Sequence, residues 1–139
     1  MSTELAAAIT QRYAEGGAPL MNEMGLTITD AHRGRVHFTL PVAERLTHSG
    51  GVLCGQAILG CMDTGMVFVM MSLDDTGEAG FATVQLQTSF KRGVPADVGE
   101  VMFEAHASKA GRTLVFGEID LYLPDGTRAA HATTTYMWL

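Results

Sequence analysis

The sequence predicts an α+β fold: a curved antiparallel sheet of about five to six strands wrapped around one long central helix, with short helices at the N-terminus. Three observations predict it. The stretch His48–Ser72, HSGGVLCGQAILGCMDTGMVFVMMS, opens as a glycine-rich turn and becomes, over about 53–72, a helix apolar on nearly every side. The segments flanking it alternate apolar and polar residues with the period of strands. Breaks rich in Gly, Pro and Asp separate those segments at lengths suited to tight turns.

A helix apolar all round is either buried or spans a membrane. This run is interrupted by Gln56 and Asp63 and ends at Ser72-Leu73-Asp74-Asp75. A charge near the middle of a bilayer costs at least ~2.5 kcal/mol. The reading is therefore a soluble protein, not a membrane one, with a buried central helix whose lone carboxylate needs a partner.

The elements follow in order. Residues 3–15 form a short helix that Ser2 or Thr3 can cap, with Leu5, Ala8, Ile9 and Tyr13 on one face and Gly16-Gly17 ending it. Pro19 opens a second short helical segment with Leu20, Met21 and Met24 turned inward. Leu26 to Leu40 is strand, interrupted at residues 30–35 by a hairpin or bulged turn and closed by Pro41. Residues 42–52 lead into the helix. A polar loop over 74–80 follows, and then four strands in a meander. In the first, Phe81 to Lys91, Val84, Leu86, Thr88 and Phe90 fall on one side and Thr83, Gln85, Gln87 and Ser89 on the other. Gly99 to Lys109, Arg112 to Leu123 and Arg128 to Trp138 are the rest, with turns at Ala110-Gly111 and Pro124-Asp125-Gly126. One face of the helix goes to the sheet, and the N-terminal helices or a partner subunit close the other.

The chain of 139 residues fits one domain over 1–139. Only 17% of residues are charged, which suits a surface partly covered by another subunit. The net charge of −6 argues against a nucleic-acid partner. Cys54 and Cys61 are about 10 Å apart along the helix, too far for a disulfide. Glu4 stands where a secretory signal carries basic residues, and no long apolar core follows, so the expected location is cytoplasmic. His32, His37, His106 and His131 show no metal-ligand spacing and read as structural.

This pattern resembles the hot-dog fold, and within it the acyl-CoA thioesterases of the phenylacetate-pathway and hydroxybenzoyl-CoA type. The resemblance runs from about Met24 to Trp138. It is most specific at the turn into the helix, where the family reads roughly Asn-x-x-Gly-x-x-His-Gly-Gly-x-x-x-x-Leu-x-Asp. Gly51, Gly55 and Asp63 match, whereas His48, Cys54 and Gln56 stand where the family has Asn, His and Gly. The runs PADVGE, GRTLVFGEIDLYLPDG and AAHATTTYMW read as its last three strands. The resemblance implies a homodimer assembled as a dimer of dimers, a homotetramer. It implies acyl-CoA as ligand and no cofactor beyond the CoA of the substrate.

Thioester hydrolysis needs a polarised carbonyl, an activated water and a stabilised oxyanion. The backbone N–H of Gly55, at the positive end of the helix dipole, suits the carbonyl oxygen. Asp63, expected to be buried, suits a general base or nucleophile, or else a structural carboxylate bonded to a neighbouring strand. The two are about 12 Å apart on one helix, so in the resembled family the Gly of one subunit serves the Asp of the other. Thr83 matches a position where relatives hold the attacking water with a hydroxyl. His48, Cys54 and Gln56 are candidates for binding the thioester, and Cys54 is also weighed as a thiolate nucleophile with His48 as its base. Arg92 and Arg112 are candidates for the CoA phosphates, and Met66, Met70 and Met71 for an adaptable acyl lining. The expected function is acyl-CoA thioester hydrolysis. The alternatives are a non-catalytic acyl-CoA-binding protein and a hydratase or dehydratase.

Overall fold

The computed structural model describes residues 2–139. Helix α1 spans Ser2–Gly16 and a short α2 spans Pro19–Asn22. The Ser2 side chain, one of the two expected caps, lies outside the described residues, and Thr3 falls inside the first turn instead of capping it. Strands β1 (Thr27–His32) and β2 (Arg35–Pro41) form a hairpin whose turn places Gly34 at φ +82°, a region that favours glycine. The ladder also shifts register between Ile28 and Asp30, so hairpin and bulge are both present. Helix α3 spans Gly55–Leu73, and β3 (Phe81–Phe90), β4 (Glu100–Ala110), β5 (Leu114–Tyr122) and β6 (Arg128–Trp138) follow.

All six strands form one antiparallel sheet in the order β1-β2-β4-β5-β6-β3. This corrects the expected meander of four strands. Strands β4, β5 and β6 are a meander, but β3 lies at the far edge beside β6. The reason is the connection from β3 to β4. It is pinned to the turn that precedes α3, with Leu53 N donating to Val94 O at 2.9 Å and Ala96 N to Gly51 O at 3.0 Å. The chain must cross to that turn before it can re-enter the sheet, so β3 cannot fold back on β4.

The same pinning delays the helix. Thr47 bridges Leu53 and Val52 bridges Pro95, which holds residues 52 and 53 extended, and α3 begins at Gly55. Its apolar face packs on the concave side of the sheet. Phe68 meets Phe38 and Tyr13 edge to face, each at 5.2 Å, and Phe38 stacks on Phe103 at 5.0 Å. Gly65 lets the sheet come close, because a Cβ there would sit 3.0 Å from the Phe38 ring. By length and composition α3 could cross a bilayer, but most of it is buried inside the fold. One stripe of α3 is not fully covered by the chain itself: Gln56, Leu59, Gly60, Asp63 and Val67 recur there at helical spacing.

Helix α1 is tied to the end of α3 through Arg12. Its Nη1 donates to Asp74 Oδ2 at 2.9 Å and its Nη2 to Ala79 O at 3.1 Å. Burial pushes the Asp74 carboxyl up, but hydrogen bonds from Thr76 and Ala79 and the Arg12 guanidinium outweigh it and hold the group at about 2 against an ordinary 3.8. A depressed folded-state value stabilises the fold above the unfolded value, and that stability is lost as pH falls through the folded one. The stability gap between wild type and Asp74→Asn is therefore expected to narrow by about 2 kcal/mol as pH falls from about 5 to about 2, measured by urea unfolding.

Candidate active site

Asp63 lies in the third turn of α3, and two strands supply its partners. Thr83 Oγ1 on β3 donates to Asp63 Oδ1 at 2.8 Å. The Tyr136 hydroxyl on β6 reaches the same oxygen at 2.5 Å and the Asp63 carbonyl oxygen at 3.1 Å. Asp63 Oδ2 has no hydrogen-bond partner among the described residues. The carboxylate is half-buried, not enclosed as its apolar helix suggests, because the stripe of α3 that carries it is open.

Thr83 reaches the helix because β3 is not a regular strand. Its ladder with β6 shifts register between Thr83 and Gln85, after Thr83 has paired with Tyr136. The extra residue, Val84, is thrown outward and is 56% exposed. Thr83 thus shares the helix-facing side with Leu86, Thr88 and Phe90, which pair with Thr134, Ala132 and Ala130. The expected alternation, with Thr83 opposite to Leu86, is corrected by this bulge. Bulges of this kind re-aim one side chain without moving the rest of the strand.

Tyr136 is not among the residues singled out from the sequence. A signal was present: β6 turns Ala130, Ala132, Thr134 and Tyr136 inward, and a buried phenol needs a polar partner. Burial, then the hydrogen bond to Asp63, push its ionisation far above the ordinary range, so it is a neutral donor.

A cleft of about 520 Å³ runs beside Asp63, lined by Tyr13, Met21, Gly60, Val67, Met71 and Phe81. Of the methionines expected to line it, only Met71 does. Met66 and Met70 are wholly buried and turned toward the core. A hollow of similar size, about 530 Å³, lies by Thr39, Glu104 and Tyr122 and holds none of the candidate residues.

Gly55 is the first residue of α3, after an N-cap Cys54 that makes no side-chain cap bond. Ile58 N makes the first bond of the helix ladder, to Cys54 O at 3.3 Å, so the amides of Gly55, Gln56 and Ala57 have no backbone partner among the described residues. A Cβ at Gly55 would meet Phe90 at an ordinary 3.7 Å, so packing within the chain does not demand glycine there. His48 Nδ1 accepts from Gly50 N at 2.8 Å, which holds the turn before the helix. No hydrogen bond joins His48 to Cys54, and Gln56 is exposed. Buried Cys61 is inert, its thiol pushed up to about 12 by burial.

The two arginines lie apart. Arg92 follows β3, with its N–H on Ala129 O, in the connection pinned to the start of α3. Arg112 borders a hollow with Leu73, Asp74 and Trp138 at the other end of that helix. The strand histidines face carboxylates, as with His131 Nδ1 at 2.7 Å from Asp120. Among the described residues, no group of three or more His, Cys, Asp or Glu could hold a metal ion.

Comparison with known proteins adds to this geometry. Residues 50–130 match the family model described as the thioesterase superfamily. A Halobacterium salinarum protein named as an esterase candidate is 30% identical over 132 residues, covering 92% of this chain and 85% of that protein. A thioesterase family protein from Silicibacter pomeroyi has a solved structure that matches with a TM-score of 0.84 at 28% identity, over 97% of this chain and 98% of that one. The E. coli PaaI protein, from the phenylacetic acid degradation operon, shares the fold with a TM-score of 0.83 over 97% of this chain and 96% of that one, at 14% identity.

Proposed function

We propose, since this chain belongs to the thioesterase superfamily and is a thioester hydrolase of hot-dog fold, that its substrates are acyl-CoA thioesters, cleaved to a free acid and CoA. One observation carries the reading: a carboxylate held by hydroxyls from two strands stands on the wall of a largely apolar cleft. The acyl group lies in that cleft. Asp63 takes a proton from water, and the water oxygen bonds to the thioester carbon. The carbonyl oxygen becomes an oxyanion and is held by the Gly55 N–H of a second copy. Collapse breaks the C–S bond, and the CoA sulfur leaves with the proton returned by Asp63. Direct attack by Asp63, through a mixed anhydride, is the variant of the same site.

The second copy is required because Gly55 and Asp63 are about 12 Å apart along one helix. A homodimer, paired as a dimer of dimers, supplies each site with both residues. Arg92, at the helix end that carries Gly55, is the phosphate partner this arrangement favours. Arg112 sits at the far end beside Asp74 and Asp75. The reaction needs no cofactor beyond the CoA of the substrate, and the enzyme works in the cytoplasm.

A panel of aryl- and alkyl-CoAs assayed by free-thiol release tests the reading. Turnover of at least one class is expected. Binding of the same compounds without thiol release would identify a non-catalytic acyl-CoA-binding protein instead.

A further inference from the structure

We infer that Tyr136 and Thr83 form a positioning clamp on Asp63, and that Oδ2 is the oxygen that does the chemistry. The inference rests on the reading of Asp63 as base or nucleophile. A carboxylate oxygen offers about two lone-pair sites. On Oδ1 both are used, one by the Thr83 hydroxyl and one by the Tyr136 hydroxyl. Oδ2 has none of its lone pairs engaged among the described residues, and Asp63 lines the cleft. A proton or an acyl carbon arriving there meets the free oxygen.

The clamp is built by the sheet. Thr83 and Tyr136 are directly opposite each other on β3 and β6, and the bulge after Thr83 keeps both on the helix side. Cross-strand partners have their side chains close together, so two hydroxyls converge on one oxygen with little freedom. Tyr136 is only 1% exposed, and its ring packs on Phe81, which itself lines the cleft. Rotation of the phenol away from Asp63 would leave a buried hydroxyl unpaired, which is costly. Without the clamp the carboxylate rotates about its last torsion, a soft and roughly two-fold one. Both hydroxyls are directed at Asp63, so the loss is expected in the chemical step.

Tyr136→Phe keeps the ring and removes only the donor. In a thioester assay kcat is expected to fall about 10- to 100-fold, the scale of losing a hydrogen bond to a charged group, with KM within about threefold of wild type. Thr83→Val is expected to act in the same direction and Thr83→Ser to retain activity, and this pair carries the test if Tyr136→Phe does not fold. An unchanged kcat in both Tyr136→Phe and Thr83→Val, or a loss carried by KM, overturns the inference. If the wild-type protein hydrolyses no thioester, the functional reading fails, but the clamp stays testable in crystal structures of wild type and Tyr136→Phe. A carboxylate that turns or disorders in the variant supports it. A carboxylate that keeps its orientation without the phenol overturns it.

Discussion

Replacing Asp63 with Asn is expected to lower acyl-CoA hydrolysis at least about 100-fold, the scale of losing a general base. The substitution conserves volume, and the amide oxygen can still accept from Thr83 and Tyr136. The fold should therefore survive, and the loss should appear in kcat. What disappears is the second carboxylate oxygen, the one that bonds neither Thr83 nor Tyr136. Cys54→Ala makes the matching control. Cys54 has no hydrogen bond to His48, whose Nδ1 is committed to Gly50, so activity should persist. Activity that survives Asp63→Asn and is lost in Cys54→Ala would overturn the assignment.

Gly55→Pro is expected to cost about 100- to 1,000-fold in kcat, the range for losing one oxyanion donor. Proline is favoured at the first helical position, where its missing N–H costs the helix nothing. The preceding residue, Cys54, sits at φ −72° and ψ 151°, the extended conformation that a following proline requires. The variant thus deletes the donor and fills its position with the proline ring, while the helix itself is expected to stand. Paired with Asp63→Asn it also tests the composite site. If each site takes Gly55 from one subunit and Asp63 from the other, co-expressing the two inactive variants in equal amounts rebuilds one intact site in each mixed dimer. Random pairing then restores about one quarter of wild-type activity. A mixture no more active than its parents would mean that each site is completed within one chain.

The main features of the fold are written in local pattern. An apolar run with one carboxylate in its middle points to a buried central helix, and period-two segments between Gly, Pro and Asp breaks point to strands beside it. The start of α3 was legible to within two residues, and Asp63 stood out as a candidate because a carboxylate is out of keeping with an apolar helix, whereas Gly55 was picked out by the resemblance. The position of β3 was not legible. Strand order depends on which edge is free when the chain arrives, and the pinned crossing from Arg92 to Gly99 settles that through backbone bonds invisible in side-chain identity.

The same distinction divides the site. By itself the sequence determined that a helix carries a donor at its start and a carboxylate in its middle, and that one helix cannot bring the two together. Only the tertiary structure decided what holds the carboxylate. A bulge at Val84 turned Thr83 inward against the apparent alternation, and the pairing of β3 with β6 set Tyr136 opposite it. Both are consequences of register. A one-residue shift moves every following side chain to the other face of a sheet, and register is settled by strands meeting in space, not by the order of residues along either one.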